Sequence, residues 1–357
     1  MALPADPPTL ALAADAAAAA VLNPGNSGAK MNPLIALVRA FVGQRVLVLG
    51  DVILDEYWVG RAARLSREAP IPVLEFEERR LIPGGAANPA ANIAALGATA
   101  VQAGLIGADA EGEALRETLH RRRIDSAGLL VDGSRPTTVK TRVMAQMGLR
   151  FPQQVARLDR LSRAPITADV EAHIVGWLEH AVPSVDAVLL SDYHGGLLTP
   201  SLVERVRRLA AESERLITAD AQGELDKYTA FDAVKCNADE AAAFLGRDLR
   251  SDDDFALAAL DLRDRLRLTV GMFITRGGGG ITVATDEGAA HVSAPAVIDV
   301  YDTVGAGDTA IAMITLALAV GASAVQAARL ANAASGIVVQ HVGNYAPTAA
   351  EVIGTLE

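Results

Sequence analysis

The sequence predicts an α/β fold, with a central, mostly parallel β-sheet flanked by helices and a small second β-sheet. Three observations lead to this prediction. Short apolar runs typical of buried strands alternate with segments typical of helices, and such alternation favours a parallel sheet. Two extended, half-polar segments interrupt the alternation and are expected to pair with each other. The 357 residues are 51% hydrophobic and 21% charged, which fits a globular protein with a sizeable core.

The central sheet is predicted from apolar runs bounded by turn residues. The run at 45–55 is the first strand, and a helix of small residues at 88–98 ends at Gly97. A buried strand at 100–107 and an amphipathic helix at 111–124 follow. The regular part of the alternation consists of strands at 187–192, 215–220, 233–237 and 272–277 and helices near 200–213, 238–245 and 254–268.

Two extended segments, about 56–82 and 136–160, are predicted to form the small second sheet. Pro70 and Pro72 interrupt the first segment, which favours exposed strands over core strands. The longest apolar run, 309–322, is too short to span a bilayer and is interpreted as a buried helix.

Residues 31–357 are expected to form one domain, and residues 1–30 a flexible N-terminal tail. The tail is rich in alanine, carries Asp6 and Asp15, and lacks the basic start of a secretory signal.

Charge and cysteine content exclude several kinds of partner. The formal net charge of -11 argues against a nucleic-acid-binding surface, and no membrane contact is predicted. The single cysteine, Cys236, rules out an internal disulfide and a cysteine-based metal cluster, and it fits a reducing compartment. We therefore expect a cytoplasmic protein whose partners are small molecules.

The glycine turn before Asp308 is the strongest local indication of chemistry. Residues 302–309 read DTVGAGDT and lead into an apolar run. Asp308 is either a helix N-cap or a reactive carboxylate. The amides of Gly305, Ala306 and Gly307 can line an anion-binding concavity at the start of a helix. An ionised carboxylate beside it suits phosphoryl transfer, because it accepts a hydroxyl proton.

Other polar residues are predicted to meet this turn at one edge of the sheet. Asp51, Asp192, Asn237 and the segment 275–277 each follow or end a predicted strand, and open parallel sheets bind ligands beyond the carboxyl ends of their strands. No G-x-G-x-x-G follows the first strand, which argues against a nicotinamide dehydrogenase, and the glycine turn lacks the Walker motif.

Two longer motifs resemble the signatures of the ribokinase-like (PfkB) sugar kinase family. They are PGGAANPAANIAALGATAVQAGLIG at 83–107 and DTVGAGDT at 302–309. With CNADE and TRGGGG they make a specific match over roughly residues 44–350. Within the family the sequence is most similar to the D-glycero-β-D-manno-heptose 7-phosphate kinases, through the segments 50–75, 191–199 and 331–339.

The resemblance implies a ribokinase-like fold and ATP-dependent phosphorylation of a sugar phosphate. Asp308 resembles the catalytic base that deprotonates the acceptor hydroxyl, here the anomeric one, and Gly305, Ala306 and Gly307 resemble the anion hole. Carboxylates and amides bind several sugar hydroxyls, and glycine lets the backbone approach the ligand. The residues similar to sugar-binding positions are Asp51, Asp55, Gly84, Gly85, Asn88 and Asp192.

The resemblance also implies sites for ATP and Mg²⁺. Asn237 and Glu240 match an Asn-x-x-Glu motif associated with phosphate and magnesium-bound water, and a single nearby carboxylate suits Mg²⁺. Asp302 is similar to a position near a monovalent-cation site, which makes K⁺ a further candidate. The residues similar to nucleotide-binding positions are Thr275, Gly277, Gly280 and, beside the adenine, Asn332. The structural alternative for each is a turn, a cap or a buried polar group.

The two extended segments resemble the family's lid, a small sheet that covers the sugar and often forms a homodimer. Closure of a lid excludes water, which would otherwise accept the phosphoryl group. A sugar phosphate also needs cationic partners, and arginine binds phosphate through two parallel hydrogen bonds. The candidates are Arg64 and Arg67 on the first segment and Lys140 and Arg142 on the second; the alternative for each is a solvated face.

The sequence departs from the heptose 7-phosphate kinases at two lysine positions, where Gly195 and Gln222 stand instead. Two alternatives therefore stay open. One is a kinase of the same fold that acts on another sugar, a sugar phosphate or a nucleoside. The other is a catalytically impaired relative that binds sugar or nucleotide. The second, nucleotidyl-transferring domain of some heptose kinases is expected to be absent.

Overall fold

The computed structural model describes residues 32–146, 152–297 and 300–357, so the predicted tail at 1–30 lies outside the described residues. The helices are α1 (Pro33–Arg39), α2 (Ala87–Ala95), α3 (Ala110–Arg121), α4 (Ala168–Ala181), α5 (Pro200–Glu212), α6 (Ala238–Leu245), α7 (Asp252–Leu266), α8 (Ala306–Ala319), α9 (Ala324–Val338) and α10 (Ala349–Gly354). The strands are β1 (Arg45–Gly50), β2 (Val52–Leu65), β3 (Pro72–Gly85), β4 (Thr99–Ile106), β5 (Asp125–Val131), β6 (Val139–Gln146), β7 (Gln153–Arg160), β8 (Ala187–Ser191), β9 (Leu216–Asp220), β10 (Ala233–Asn237), β11 (Gly271–Thr275), β12 (Ile281–Thr285) and β13 (Gly288–Val292).

The main sheet has the strand order β13-β12-β11-β10-β9-β8-β1-β4-β5. The strands from β11 to β5 pair in parallel, and β12 and β13 continue the sheet as an antiparallel hairpin at one edge. Val46 and Val48 of β1 pack on one face with α2, α8 and α9, whereas Leu47 and Leu49 pack on the other with α4, α5 and α7. Successive side chains of a strand point to opposite faces, so helices on both faces require the continuous apolar strands seen in the sequence.

The second sheet has the strand order β3-β2-β6-β7 and confirms the predicted pairing of the two extended segments. β2 pairs antiparallel with β3 and parallel with β6, and β6 pairs antiparallel with β7. The register places Asp55 beside Lys140 and Tyr57 beside Arg142 on one face. Trp58 and Leu158 belong to the opposite face, because side chains alternate along each strand.

The apolar run predicted as one strand at 45–55 is divided at Asp51, and its halves belong to different sheets. β1 ends at Gly50, where a side chain would overlap the carbonyl oxygen of Ser191, and β2 begins at Val52, which pairs with Gly85 of β3. The residues on both sides of Asp51 are buried, so hydrophobicity alone does not reveal the break. The second sheet therefore continues directly from the carboxyl end of β1.

The sequence prediction omits α1, α4, α9, α10, β5 and the β12–β13 hairpin. α9 is rich in alanine, so its buried and exposed positions differ little in hydrophobicity and the helical period is hard to recognise in the sequence. A capping box between Ser323 and Gln326 nevertheless marks its start.

No helix among the described residues has both the length and the apolar character needed to cross a membrane.

Candidate active site

The carboxyl ends of the main-sheet strands border a cavity of about 390 Å³. The first turn of α8 and the ends of β9, β10 and β11 contribute to its wall, as the sequence predicts for this edge. The lining residues are Tyr193, Asp220, Gln222, Lys235, Asn237, Glu240, Thr275, Thr303, Gly305, Gly307 and Asp308.

Asp308 is the third residue of α8, and its carboxylate does not cap the helix. The N-cap is Gly305, and the Asp308 carboxylate accepts hydrogen bonds from the Asn88 amide (2.7 Å) and the Tyr193 hydroxyl (2.5 Å). Burial and the charge of Asp220 raise the pKa of Asp308 to about 6, although these hydrogen bonds oppose the rise. Asp308 therefore gains and loses a proton close to neutral pH, as a general base must.

The first turn of α8 supplies backbone donors beside this carboxylate. The N–H groups of Gly307 and Asp308 have no backbone acceptor within the described part of the chain, as is usual at a helix N-terminus. Ala306 N–H donates to the Thr303 carbonyl oxygen (3.3 Å), so it is less available for an anion than the motif predicts. Gly305 has φ +83°, which favours glycine. Unpaired N–H groups at a helix N-terminus favour an anion, and the role of this turn as an anion hole stays a prediction.

Asp55 is held at the inner face of the second sheet. Its carboxylate accepts hydrogen bonds from Arg142 (2.5 Å) and from the side-chain amide of Asn344 (2.7 Å). A side chain on Gly84 of the paired strand would overlap this carboxylate. A side chain on Gly305 would lie 2.9 Å from both Asn344 and Asn88, so these two amides border the glycine turn. Asp55 and Asp308 are thereby linked through neighbouring polar groups.

Asp51 accepts hydrogen bonds from the turn that follows β8, and Asp192 accepts them from residues 227–228. Asp51 accepts hydrogen bonds from two backbone amides of that turn (3.0 and 2.8 Å). Asp192 accepts hydrogen bonds from Lys227 (2.5 Å) and the Tyr228 hydroxyl (2.7 Å). Gly85, at the end of β3, has φ +54°, a backbone conformation that favours glycine. Neither carboxylate lines the Asp308 cavity, and the predicted sugar-binding roles of Asp51 and Asp192 stay predictions.

A second cavity of about 490 Å³ adjoins the first, and Thr275, Thr303 and Gly307 line both. The predicted nucleotide-binding residues Thr275, Gly277, Gly280 and Asn332 all lie in its wall, among apolar residues. The Asn332 side chain donates hydrogen bonds to the backbone carbonyl oxygens of Val292, at the end of β13, and Ser293 (2.8 and 3.1 Å). A largely apolar cavity that leads to an anion-binding turn has the layout needed for a base and its phosphates.

Asn237 and Glu240 form a capping box at the start of α6 and also line the Asp308 cavity. Burial raises the pKa of Glu240. No cluster of three histidine, cysteine or acidic side chains able to bind a metal occurs in the described ranges. The Glu240 carboxylate in the cavity wall fits Mg²⁺ that is held mainly by phosphate oxygens and water.

Both carboxylate oxygens of Asp302 accept hydrogen bonds from backbone amides. The donors are Val304 (3.0 Å) and Gly343 (2.9 Å), so Asp302 ties the glycine turn to the segment that carries Asn344. Its predicted role near a monovalent cation stays a prediction.

The four candidate cations of the second sheet differ in location. Arg142 binds Asp55, and the Lys140 ammonium lies 5.3 Å from the ring centre of Tyr193. Arg64 and Arg67 are exposed near the tip of the β2–β3 hairpin. Arg64 lies on the order of 30 Å beyond Asp55, at about 3.3 Å per residue. Arg64 and Arg67 therefore cannot serve the site of their own chain.

Residues 44–350 match the family model described as pfkB family carbohydrate kinase. The chain belongs to this family. The match confirms the predicted family and the predicted enzyme class, an ATP-dependent carbohydrate kinase.

Curated relatives include the bifunctional protein HldE of several bacteria. HldE of Caulobacter vibrioides is 40% identical over 321 residues, which cover 88% of this chain and 64% of the relative. HldE of Geobacter metallireducens is 38% identical over 312 residues, which cover 87% of this chain and 62% of the relative. HldE of Helicobacter pylori J99 is 35% identical over 303 residues, which cover 84% of this chain and 64% of the relative. The chain spans less than two thirds of the length of these relatives.

Solved structures confirm the ribokinase-like fold. Phosphofructokinase-2 from Escherichia coli in complex with potassium superposes with a TM-score of 0.70 at 21% identity, over 88% of this chain and 98% of that chain. Ribokinase from Arabidopsis thaliana complexed with ribose and ATP gives a TM-score of 0.67 at 19% identity, over 88% and 99%.

Four polar residues of the site carry no role in the sequence prediction: Tyr193, Asp220, Lys235 and Asn344. The available signal was strongest for Lys235, since a lysine inside the buried strand AVKCN needs a partner. Asp220 ends a strand at the same edge as Asn237. Asn344 lies in a loop whose sequence gives no indication of the approach to Asp55.

Proposed function

We propose that this chain transfers the γ-phosphoryl group of ATP to a hydroxyl group of a sugar phosphate. The observation that carries the proposal is the Asp308 carboxylate, 7% exposed, in the wall of one cavity and next to Gly307, which lines this cavity and the adjoining apolar one. The acceptor we propose is heptose 7-phosphate, which becomes heptose 1,7-bisphosphate. The likeness to the heptose 7-phosphate kinases and the HldE relatives supports this acceptor.

In the proposed reaction the acceptor hydroxyl lies between Asp308 and the anion-binding turn. Asp308 accepts the hydroxyl proton while the sugar oxygen bonds to the γ-phosphorus. The bond to the β–γ bridging oxygen breaks, and its electron pair leaves with ADP. The N–H groups of Gly307 and Asp308 donate to the phosphoryl oxygens, and Asn88 and Tyr193 orient the carboxylate. Mg²⁺, when bound, neutralises phosphate charge.

The inner face of the second sheet is the proposed acceptor site, which makes this sheet a lid. Asp55 accepts hydrogen bonds from sugar hydroxyls. Arg142 also lines a cavity of about 390 Å³ between the second sheet and residues 300–304, and there we propose that it binds the phosphate of the acceptor. Lys140 lies on the same face and adds positive charge.

An acceptor panel with and without a terminal phosphate tests this function. We expect ATP-dependent turnover of heptose 7-phosphate and little turnover of unphosphorylated sugars. Arg142→Met should raise the KM for the phosphorylated acceptor about 10- to 100-fold, because a charge-assisted hydrogen bond is lost. Arg205→Met, which removes a surface arginine of α5, is the matched control.

The outcomes of the panel separate the alternatives. Preference for another acceptor would replace heptose 7-phosphate. Nucleotide binding without turnover of any acceptor would favour the impaired relative. An Arg142→Met variant that loses phosphorylated and unphosphorylated acceptors equally would contradict the phosphate-binding role.

The pH profile of kcat/KM is expected to fall on the acid side of about pH 6. The pKa of Asp308 is raised to about 6, and only the ionised carboxylate accepts a proton. Tyr193→Phe removes a hydrogen bond that lowers this pKa, so the acid limb should move to higher pH. The control Tyr345→Phe loses a hydrogen bond to Glu351 of α10 and should leave the acid limb at the wild-type pH. An unmoved limb in Tyr193→Phe would contradict the assignment of the base.

We further propose a homodimer that forms through the outer face of the second sheet. Trp58 and Leu158 are 44% and 61% exposed on that face, and exposed large apolar groups mark interfaces. Leu158→Asp should convert dimer to monomer in sedimentation velocity, whereas Leu257→Asp on α7 should not. Wild-type protein that sediments as a monomer at high concentration would refute the dimer.

A kinase that consumes ATP and a sugar phosphate works where both occur. We therefore propose the cytoplasm as its location.

A further inference from the structure

Lys235 is a buried lysine of β10 whose side chain reaches the Asp308 cavity. The residue is 5% exposed, and its ammonium donates a hydrogen bond to the Asp220 carboxylate of the neighbouring strand (2.8 Å). Within the described residues the Asp220 carboxylate is the hydrogen-bond partner of the ammonium, which carries three N–H donors. The other donors remain for a ligand, because the side chain lines the cavity.

The ammonium faces the first turn of α8. A side chain at Gly307 would place its Cβ 3.1 Å from the Lys235 nitrogen. The absence of a side chain at Gly307 therefore leaves the ammonium beside the free N–H groups of Gly307 and Asp308. Gly307 lines both cavities, so the ammonium beside it lies near the junction of the first cavity with the second.

The charges of the residues that line the cavity make the position of the Lys235 ammonium important for binding phosphate. Three carboxylates line it, those of Asp220, Glu240 and Asp308, and Lys235 is the sole lysine or arginine among the described lining residues. Burial opposes the charge of the ammonium, but the Asp220 carboxylate outweighs burial and raises the pKa of Lys235, so the lysine stays protonated. A polyphosphate entering this acidic cavity meets one cation from the protein.

We propose that Lys235 is the phosphate-binding cation of the site and donates hydrogen bonds to the γ-phosphoryl group during its transfer. The inference rests on the proposed function. Lys235 exchanges no proton in the reaction. It neutralises charge on the phosphoryl oxygens while the bond to the bridging oxygen breaks, and Asp220 orients it. The strand lysine thus supplies the positive charge that Gly195 and Gln222 do not.

Nucleotide binding tests the proposal without any acceptor. Lys235→Met should weaken binding of a non-hydrolysable ATP analogue at least about 10-fold in calorimetry, because a contact to phosphate is lost. Binding of adenosine, which has no phosphate, should not change. In the kinase assay the variant should lose at least about 100-fold in kcat. Equal weakening of both ligands, or of neither, would overturn the proposal.

A double variant separates phosphate binding from folding. Lys235→Met alone leaves Asp220 buried without its partner, which destabilises proteins. Asp220→Asn combined with Lys235→Met removes both charges and should recover the melting temperature, but not analogue binding or kcat. Recovery of binding and activity together with stability would show a purely structural role and refute the proposal.

The matched control removes another largely buried ion pair, that of Asp132 and Arg135, outside this cavity. Asp132→Asn with Arg135→Met should retain analogue binding. If the proposed function is wrong, the wild-type protein phosphorylates no acceptor. The comparison of analogue binding with adenosine binding still decides the role of Lys235 in that case.

Discussion

Asp308→Asn is expected to lower kcat by about 10²–10⁴-fold, because proton transfer from the acceptor hydroxyl is lost. The amide can still pair with Asn88 and Tyr193, and the free amides of α8 are unchanged. Affinity for a non-hydrolysable ATP analogue should therefore stay within about twofold of wild type. Steady-state kinetics and calorimetry check the two expectations. Near-normal turnover would remove Asp308 as the base.

The same substitution is expected to stabilise the fold at neutral pH. The folded pKa of Asp308 is raised from 3.8 to about 6, so the neutral acid is favoured in the folded state. Its contribution to stability is fully present below about pH 3.8 and is lost as pH rises through about 6. The ionised carboxylate then costs on the order of 3 kcal/mol, which asparagine avoids.

Melting temperatures measured at acidic and at neutral pH check this expectation. The gain of Asp308→Asn over wild type should be several degrees at neutral pH and should shrink in acid. An equal gain at both pH values would contradict a penalty from ionisation.

Gly84→Ala is expected to raise the KM for the sugar phosphate about 100-fold, a typical loss when a binding group is displaced. The added methyl group would overlap the Asp55 carboxylate, which Arg142 and Asn344 hold in place. Asp55 must then move and lose these partners. The nucleotide cavity contains none of these residues, so binding of the ATP analogue should be unchanged.

Gly176→Ala is the matched control for this substitution. An added methyl group at Gly176 of α4 meets no atom within 4 Å, and alanine favours a helix. Kinetics should be unchanged. A Gly84→Ala variant with wild-type KM would exclude Asp55 from the acceptor site.

Much of the main sheet was predictable from the sequence because its strands are continuous apolar runs. β8, β10 and β11 lie within one or two residues of the predicted bounds. Helix α6 was also placed correctly, since Asn237 and Glu240 mark its start. Where burial is similar on both sides of a boundary, as at Asp51, the pattern carries no information about which sheet a residue joins.

The site was predictable in part, for a related reason. Spacing and glycine content mark Asp308 and the turn before it, because a local backbone shape requires them. Contacts between distant segments leave no such mark. The hydrogen bond from Asn344 to Asp55 and the ion pair of Lys227 with Asp192 depend on the packing of loops that are distant in the sequence.

In the function proposed here, the division of the chain at Asp51 assigns binding of the acceptor and transfer of the γ-phosphoryl group to different sheets. Asp55, Gly84 and Arg142 belong to one, and the glycine turn and Asp308 follow the other. Evolution can therefore remodel the strands that choose a sugar while the transfer chemistry is inherited intact. Engineered changes of specificity should begin in those strands.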